Sequence, residues 1–541
     1  MSDNQKQNFL HGATILAAGV VIMKILGAIY KIPLRNILGD IGYGYFNAAY
    51  MIYNVLLTIA TAGLPVALSR MISEANTLNR PRQANRIFRV ATITLSVLGV
   101  VFSALMFLFP TEMAILFVSK AEVSQCVFAL SPAVLLVCVT SAFRGYIQGY
   151  GNMKPTTIGQ VLEVLVKVII GLVLAIYLTK AGKSLPISSA GAIFGVTAGA
   201  LAALVYMFIC YARRYRKTAS DSAEQSADEP DSYKSTLWQF VKIGVAITLG
   251  ASVMSVFSLI DTKLIQMQLP QVEGISESLA DTLYGSYSAM QTLYNLPAAF
   301  ITPMTIAIVP AISAAVAKRA QGEAGMIAES GLRISSVIAL PMGIGLAVLS
   351  APIVKVLYDG THEIGPTILT YLGVASIFVC IALVTNSILQ ANGNEKLPII
   401  SMIIGGIVKI AVNLLLVRRP EIHILGACIG TICCYLVICV LNCIFISRCM
   451  ADKVSYSRIF LRPLISSLVM GAAAWAVYGI AARVLGGAEM GGLMQLLAMC
   501  AAIGVAVIVY LLLVILTRAV TYDDMKLIPK GEKIAKLLRI R

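Results

Sequence analysis

The stretch Arg144–Lys167 reads RGYIQGYGNMKPTTIGQVLEVLVK, and a second copy of its pattern, Gln390–Lys409, reads QANGNEKLPIISMIIGGIVK. The two stretches share identical residues at a constant spacing of 242 positions. The matching pairs are Gln148 and Gln390, Gly151 and Gly393, Asn152 and Asn394, Lys154 and Lys396, and Lys167 and Lys409. A constant spacing between matching residues indicates an internal repeat.

Shorter matches on both sides of this stretch follow the same order. Two dipeptides that begin with tyrosine return 241 positions later: Tyr43-Gly44 as Tyr284-Gly285, and Tyr53-Asn54 as Tyr294-Asn295. The stretch Gly191–Gly195 returns 235 positions later as Gly426–Gly430, which predicts a shorter loop in the second copy. Three matches in one order predict two related halves. In a hydrophobic chain, repeated halves are typical of transporters whose substrate site lies between them.

The composition is that of a membrane protein. Of 541 residues, 58% are hydrophobic and only 13% are charged, and the mean hydropathy is +0.85. A soluble protein of this size would carry far more surface charge. Apolar runs of about 20 residues recur along the chain, as membrane-spanning helices require. These runs do not alternate between polar and apolar residues, which argues against a membrane β-barrel.

The apolar runs predict an all-α integral membrane protein of about 14 transmembrane helices, arranged as two pseudo-symmetric six-helix lobes plus two C-terminal helices. The predicted spans are 12–33, 41–64, 87–109, 123–147, 156–179, 187–211, 237–268, 280–303, 327–350, 364–390, 398–417, 424–447, 460–484 and 491–517. The predicted domains are an N-terminal lobe (1–212), a cytoplasmic linker (213–236), a C-terminal lobe (237–448), two further helices (449–518) and a basic cytoplasmic tail (519–541).

The net charge of +16 lies mostly in short loops between spans. In a soluble protein this excess would suggest nucleic acid, but here it predicts orientation in a bacterial cytoplasmic membrane and contact with anionic lipids. Basic residues concentrate in alternate loops, so we expect both termini and the linker to be cytoplasmic. The segment Met1–His11 is polar and the first apolar run is long enough to remain as a helix, so no cleaved signal is expected.

Glycine and proline mark two structural features of the spans. Glycines four residues apart lie on one helix face, which predicts close helix packing at Gly191, Gly195, Gly199, Gly426 and Gly430. Pro65 and the group Pro297–Pro310 fall in corresponding second helices of the two halves, where they predict bends.

Charges inside the spans are the candidate binding residues, because each costs about 2.5–3.5 kcal/mol at the centre of a membrane helix. Lys24, Lys31 and Arg35 lie seven and four residues apart, so they share one face of the first helix. This basic stripe is predicted to bind an anionic headgroup. The alternative is that Lys31 and Arg35 extend to the membrane surface.

Other intramembrane charges have both structural and functional interpretations. Glu163 and Lys167 are four residues apart and predict an ion pair, or a cavity coupled to Na⁺ or H⁺. Asp261 and Lys263 lie deep in the seventh span and are candidates for a cavity. Arg144 and Arg333 lie near span ends, as either binding residues or interface anchors.

Catalytic and metal-binding patterns are missing from the sequence. The three histidines are far apart, and no nucleotide-binding loop is present. Six of the eleven cysteines lie between Cys428 and Cys449 in one apolar run, where we interpret them as small apolar residues. We therefore expect no catalytic residues, no metal site and no cofactor, apart from the open question of Na⁺ or H⁺ coupling.

Several motifs resemble the SpoVB/YtgP group of polysaccharide-biosynthesis proteins. This group belongs to the MOP superfamily of flippases, as does the lipid II flippase MurJ. The motifs are Gly27–Leu34 (GAIYKIPL), Gly39–Gly42 (GDIG), Ala62–Arg70 (AGLPVALSR), Arg144–Gly149 (RGYIQG), Asn152–Pro155 (NMKP), Gln160–Glu163 (QVLE), and Gly331–Arg333 with Leu340-Pro341. The resemblance covers the first twelve predicted spans.

The resemblance implies a V-shaped pair of lobes around a cationic cleft. It implies a flippase that moves a polyprenyl-pyrophosphate-linked sugar, with lipid II as the favoured cargo, from the inner to the outer leaflet. Lys24 falls where MurJ carries a cleft arginine, whereas Thr292 and Tyr30 fall at two other arginine positions. The charge is thus redistributed, and Lys31, Arg35 and Lys263 are the replacement candidates. The expected partners are this lipid-linked oligosaccharide, membrane lipids and cell-wall synthesis proteins.

Two other functions remain open from the residues. A multidrug or cation antiporter of the related MATE class would favour acids in its cleft, and Glu163 and Asp261 keep this alternative open. A membrane-embedded glycan-modifying enzyme would need a catalytic constellation, and the sequence offers none.

Overall fold

Helices account for almost all of the described chain. The computed structural model describes residues 3–215, 228–358, 360–450, 455–484, 492–517 and 519–520. No β-strand occurs in these ranges. The helices are α1 (Asp3–Thr61), α2 (Leu64–Thr77), α3 (Pro81–Leu108), α4 (Pro110–Val118), α5 (Ser124–Gly149), α6 (Lys154–Lys180), α7 (Leu185–Cys210), α8 (Tyr233–Gln268), α9 (Glu277–Tyr294), α10 (Leu296–Ala317), α11 (Gln321–Val348), α12 (Ser350–Leu357), α13 (Gly365–Ala391), α14 (Lys396–Leu416), α15 (Leu425–Cys449), α16 (Tyr456–Val484) and α17 (Gly492–Leu516).

Eleven helical segments within the described ranges are long and apolar enough to cross a membrane. The prediction of an all-helical membrane protein is confirmed. The first segment, Ile29–Thr77, contains the second predicted span (41–64) and only the end of the first (12–33). The seventh and eighth predicted spans, 237–268 and 280–303, fall on α8 and α9–α10, which are not among the eleven segments. Fourteen crossings therefore stay a prediction. The linker residues 216–227 and the tail residues 521–541 lie outside the described chain.

The first two predicted spans are joined by a bend rather than by a loop. Helix α1 has 59 residues, which would be about 90 Å long if it were straight. Gly39 interrupts it with φ of 69° and ψ of −179°. This left-handed φ is accessible to glycine at little steric cost, so a single residue changes the direction of the chain.

Both proline-containing second helices break just before a Leu-Pro pair. In the first half, α1 ends at Thr61 and α2 begins at Leu64-Pro65. In the second half, α9 ends at Tyr294 and α10 begins at Leu296-Pro297. Proline is tolerated in the first turn of a helix because the amide hydrogen it lacks has no partner there. Here the predicted bends are breaks between two helices.

The chain divides by packing into unit 1, Met1–Met267, and unit 2, Gln268–Arg541. In unit 1, α6 packs along α7, and both contact α1 or α5. In unit 2, α14 packs along α15, and α13 contacts α9, α11 and α15. Helix α8 falls in unit 1, although the repeat assigns it to the second half. The domain boundaries drawn from the repeat stay a prediction.

The repeat is visible in the turns of the two units. Asn79 and Arg319, 240 positions apart, both adopt left-handed φ values of 50° and 57°. Gly151 and Gly393, 242 positions apart, have φ values of 77° and 81°. The Gly151 amide donates to Gln148 at 2.8 Å, and the Gly393 amide donates to Gln390 at 3.1 Å. Matching residues therefore form matching turns.

The predicted glycine packing is present in both units. A β-carbon on Gly195 would lie 2.6 Å from the backbone oxygen of Lys167 on α6, and one on Gly199 would collide with the backbone oxygen of Glu163. In unit 2, a β-carbon on Gly426 would lie 2.8 Å from the Val417 backbone nitrogen. These glycines let the helix backbones approach closely.

Large apolar side chains face outwards on several helices. On α3, Ile93, Val97 and Val100 lie on one face and are each more than half exposed. An exposed apolar stripe of this size is suited to lipid rather than water. In unit 2, α16 packs on α11 and α17 packs on α16. The Tyr510 hydroxyl of α17 donates to the Val337 carbonyl of α11 at 2.6 Å.

Candidate functional site

Helices α1, α5 and α6 bring charged and aromatic side chains together inside unit 1. The Lys31 ammonium lies 5.8 Å from the centre of the Tyr50 ring. Lys31 is also close enough to Lys167 on α6 for the two charges to repel each other. Tyr53 lies within electrostatic range of both Glu163 and Arg144. We call this set the unit 1 cluster: Lys31, Tyr50, Tyr53, Arg144, Glu163 and Lys167.

Glu163 has a partner that the sequence did not predict. Its carboxylate accepts a hydrogen bond from Arg144 on α5 at 2.6 Å, whereas the sequence proposed Lys167 at i,i+4. The Arg144 side chain is 14% exposed and that of Glu163 is 24% exposed, so the pair is largely shielded from water. The ion pair joins α5 to α6 across the repeated stretch.

The unit 1 cluster has an excess of positive charge. Three of its members are cationic, Lys31, Arg144 and Lys167, and one is a carboxylate, Glu163, so three minus one leaves a formal charge of +2. Positive charge held in an apolar helical segment favours an anionic partner. The Nε atom of Arg144 is buried and without a hydrogen-bond acceptor among the described residues.

Arg35 lies close in sequence to this cluster but is already paired. Its Nη2 atom lies 2.8 Å from Oδ1 of Asp40, and its Nε atom donates to the same oxygen at 2.9 Å. The exposed fractions of the two side chains are 2% and 6%. The pair closes across the Gly39 bend of α1. Its geometry is that of a buried structural ion pair, and a substrate role for Arg35 stays a prediction.

The remaining predicted site residues lie apart from the unit 1 cluster in sequence. Asp261 is buried on α8, and Lys263 on the same helix is partly exposed. Arg333, on α11 of unit 2, bonds Glu329 at 2.6 Å one turn earlier. The side chain of Lys24 lies outside the described residues. Binding roles for these four residues stay predictions.

Sequence reasoning missed the tyrosines of the first two spans. Tyr50 and Tyr53 belong to the unit 1 cluster, and the Tyr30 hydroxyl donates to the Ala192 carbonyl on α7 at 3.1 Å. The signal was present, because Tyr53 is one of the residues that return in the second half. Its proximity to the charges of Glu163 and Arg144 depends on tertiary packing, which the sequence spacing does not show.

At the positions of the Arg144–Glu163 pair, the second half carries no charges. The positions 242 residues after Arg144 and Glu163 are occupied by Asn386 and Gly405. The amide of Asn442 donates to Asn386 at 2.7 Å and to Thr385 at 2.9 Å, so neutral hydrogen bonds link α13 to α15. Lys409 repeats Lys167, so this one charge of the unit 1 cluster is retained in both halves.

Comparison with known families identifies the chain. The family profile described as "Polysaccharide biosynthesis protein" matches residues 9–316, more than half of the sequence. The chain belongs to this family. The match covers the unit 1 cluster and the repeated stretch Arg144–Lys167.

Two relatives that match over most of their length support this assignment. Stage V sporulation protein B of Bacillus subtilis (strain 168) is 24% identical over 539 residues, covering 97% of this chain and 98% of the relative. Lipid II flippase MurJ of the same organism is 24% identical over 493 residues, covering 88% of each chain. The resemblance noted from the motifs is therefore confirmed.

Solved structures show the same fold. Lipid II flippase MurJ in an inward closed conformation matches with a TM-score of 0.67 at 13% identity, covering 95% of this chain and all of that one. An inward-facing multidrug resistance MATE family transporter of the MOP superfamily matches with a TM-score of 0.60 at 14% identity, covering 81% and 95%. The protein is a multi-pass membrane protein with the fold of the MOP superfamily.

Proposed function

We propose that the protein is a flippase for a polyprenyl-pyrophosphate-linked sugar, with lipid II, the peptidoglycan precursor, as its cargo. The sugar-pyrophosphate head would enter from the cytoplasmic leaflet and leave at the outer leaflet by alternating access. The chain would act as a carrier and leave its cargo chemically unchanged. Cell-wall synthesis proteins would supply and use the cargo.

The observation that carries the proposal is the net positive charge of the unit 1 cluster. A pyrophosphate is a dense anion, and Lys31, Arg144 and Lys167 offer charge and hydrogen-bond donors to it. Tyr50 and Tyr53 add aromatic surface beside these donors, which suits a sugar ring as well as a cation. The MurJ relative, named as a lipid II flippase, supports the choice of cargo.

Lys24, Arg35 and Lys263 remain part of the proposal as further cationic residues. The driving force is proposed to be a Na⁺ or H⁺ gradient, for which Glu163 and Asp261 are the candidate carboxylates. Glu163 bonds Arg144 at 2.6 Å, so a proton or cation at this carboxylate would weaken that bond and free the guanidinium for the anion.

The alternative is a multidrug or cation antiporter, and one observation favours it: the fold match to a MATE family transporter. A cation carrier should place unpaired carboxylates in its binding site. In the unit 1 cluster the single carboxylate, Glu163, is bound to Arg144, which favours the anionic cargo.

The test is rescue of cells depleted of their lipid II flippase. We expect the wild-type chain to restore growth and Lys31→Ala to lose at least about tenfold in rescue, because one charge of the cluster is removed. Lys183→Ala is the matched control, since Lys183 is an exposed lysine in the loop between α6 and α7. Membrane levels of all three proteins are compared by immunoblot.

The outcomes separate the proposed functions. Failure of the wild-type chain at normal membrane level would reject lipid II as the cargo. Increased resistance to toxic cations in the same cells would support the antiporter. Equal rescue by Lys31→Ala and Lys183→Ala would reject the unit 1 cluster as the binding site.

A further inference from the structure

The end of the predicted cytoplasmic linker is bound to the start of α3. Asp228 uses both carboxylate oxygens: Oδ1 accepts from the Arg82 amide at 3.2 Å and Oδ2 from the Gln83 amide at 3.1 Å. The first amides of a helix have no partner within the helix and favour an anion. Asp228 therefore caps α3 from a segment about 145 residues away in sequence.

Asp231 makes a second, denser contact with the same turn. Its carboxylate accepts from Nη2 of Arg80 at 3.0 Å and from Nε2 of Gln83 at 3.2 Å. Its own amide donates to Oε1 of Gln83 at 2.8 Å. Gln83 is only 4% exposed, and its side-chain amide bonds both the carboxylate and the backbone amide of Asp231.

Arginines on one face of α3 extend this contact to the first residue of α8. The Arg86 guanidinium donates to the Asp231 carbonyl at 2.5 Å and lies 4.4 Å from the centre of the Tyr233 ring. Nη1 of Arg89, three residues further along α3, donates to the Tyr233 hydroxyl at 3.1 Å. Tyr233 begins α8, so the contact restrains both the linker end and this helix.

Helix α8 is also held further along its length. The Gly63 amide, freed by the break between α1 and α2, donates to Oγ1 of Thr248 at 3.1 Å. A β-carbon on Gly63 would collide with the backbone oxygen of Gly244. The contact between Gly63 and Thr248 is close and joins two neutral groups. The contact at Asp228 and Asp231 depends on charge and is partly exposed. The Arg80 side chain is 32% exposed and that of Asp231 is 38% exposed.

We propose that Asp228 and Asp231 form a charge-dependent clasp, which fastens the linker end and the first turn of α8 to the start of α3. The clasp opens when its carboxylates are neutralised or screened by salt, whereas the Gly63–Thr248 contact holds. The start of α8 then detaches while the helix stays bound at Gly63 and Thr248. This conformational device is independent of the identity of the cargo.

Hydrogen–deuterium exchange of the full-length protein in nanodiscs tests the clasp. Wild type, Asp228→Asn/Asp231→Asn and Glu229→Gln are compared at about 50 mM and about 500 mM salt, because charges in solvent are screened over this range. Glu229→Gln is the matched control: it removes one neighbouring charge from an exposed side chain, while the bond to Arg80 uses the Glu229 carbonyl.

We expect the amides of Arg82, Gln83 and Asp231 to exchange at least about fivefold faster in the double variant at low salt, since charge-assisted hydrogen bonds are the stronger ones. Glu229→Gln should match wild type, and wild type should approach the double variant at high salt. Amides of the Gly151 turn serve as an internal reference for overall unfolding.

Two results would overturn the clasp. One is unchanged protection of these amides in the double variant. The other is an equal effect of Glu229→Gln, which would indicate a general response to charge. As a second variant, Arg80→Asp should open the contact, and adding Asp231→Arg should recover at least half of the lost protection. Failure of that recovery would contradict a direct pairing of these two residues.

Discussion

Arg35 and Asp40 form a buried ion pair on the two sides of the Gly39 bend. The sequence placed Arg35 in a basic stripe, because the helical spacing from Lys31 is correct. It did not predict the partner, since a carboxylate five residues away faces another direction on a straight helix. The left-handed φ of Gly39 turns the chain and brings the two side chains to 2.8 Å.

Loss of one partner of this pair should destabilise the protein strongly. We expect Asp40→Ala to lower the free energy of unfolding by about 3–5 kcal/mol, because it removes the carboxylate that pairs with a buried guanidinium. The apolar double variant Arg35→Met/Asp40→Leu should lose much less. Thermal unfolding in detergent measures both. A double variant as unstable as Asp40→Ala would contradict this account.

His423 is the group from which we expect a pH dependence of stability in unit 2. Its Nδ1 atom accepts a hydrogen bond from the Ile424 amide at 2.8 Å, in the loop before α15. Burial, and secondarily the nearby His362, lower the pKa of His423. A lowered pKa in the folded state means that the stabilisation is present above the unfolded pKa of about 6.5 and is lost as the pH falls through the folded pKa.

We therefore expect the melting temperature to fall when the pH drops from about 7.5 to about 5.5. His423→Asn should reduce this dependence, because an amide oxygen can accept from the Ile424 backbone without binding a proton. Differential scanning fluorimetry across this range compares the two proteins. A pH dependence of equal size in His423→Asn would assign it to other groups.

At the scale of helices, the glycine contacts between α6 and α7 should be intolerant of larger residues. We expect Gly195→Ala to lower the free energy of unfolding by about 1–3 kcal/mol, because its β-carbon would lie 2.6 Å from the Lys167 backbone oxygen. Gly504→Ala on α17 is the control, since that glycine has open space around it. The control should be neutral or slightly stabilising, because alanine favours helix.

Equal stability changes in the two variants would contradict the packing argument. Chemical unfolding followed by fluorescence provides the measurement. The packing glycines were predicted from their spacing of four residues, which fixes one helix face. Their partners on α6 were not predictable, because spacing identifies a face but not the helix that covers it.

For the molecule as a whole, the repeat predicts paired effects in the two halves. Gly151 and Gly393 both have positive φ, and both have open space where a β-carbon would stand. Each change to alanine should therefore cost about 1–2 kcal/mol, through backbone strain alone. Parallel melting curves of the two single variants check this. A cost in one half and none in the other would contradict equivalent turns.

The sequence predicted the fold class well, because membrane helices are specified by long apolar runs and by the loops between them. The sequence predicted bends at Pro65 and Pro297, since proline removes a helical hydrogen bond, whereas the structure has breaks between two helices there. The Arg144–Glu163 pair was not, because Glu163 had an equally suitable partner in Lys167 on its own helix. Choosing between partners requires the packing of α5 on α6, which is a tertiary property.

The two halves share their turns and helix contacts but differ in charge: Asn386 and Gly405 stand where the first half has Arg144 and Glu163. After a duplication, one copy can thus supply architecture while the other evolves recognition. Chimeric genes would separate the two contributions. A chain joining two first halves would carry the Arg144–Glu163 pair twice, whereas one joining two second halves would keep the helix pairs and lose it.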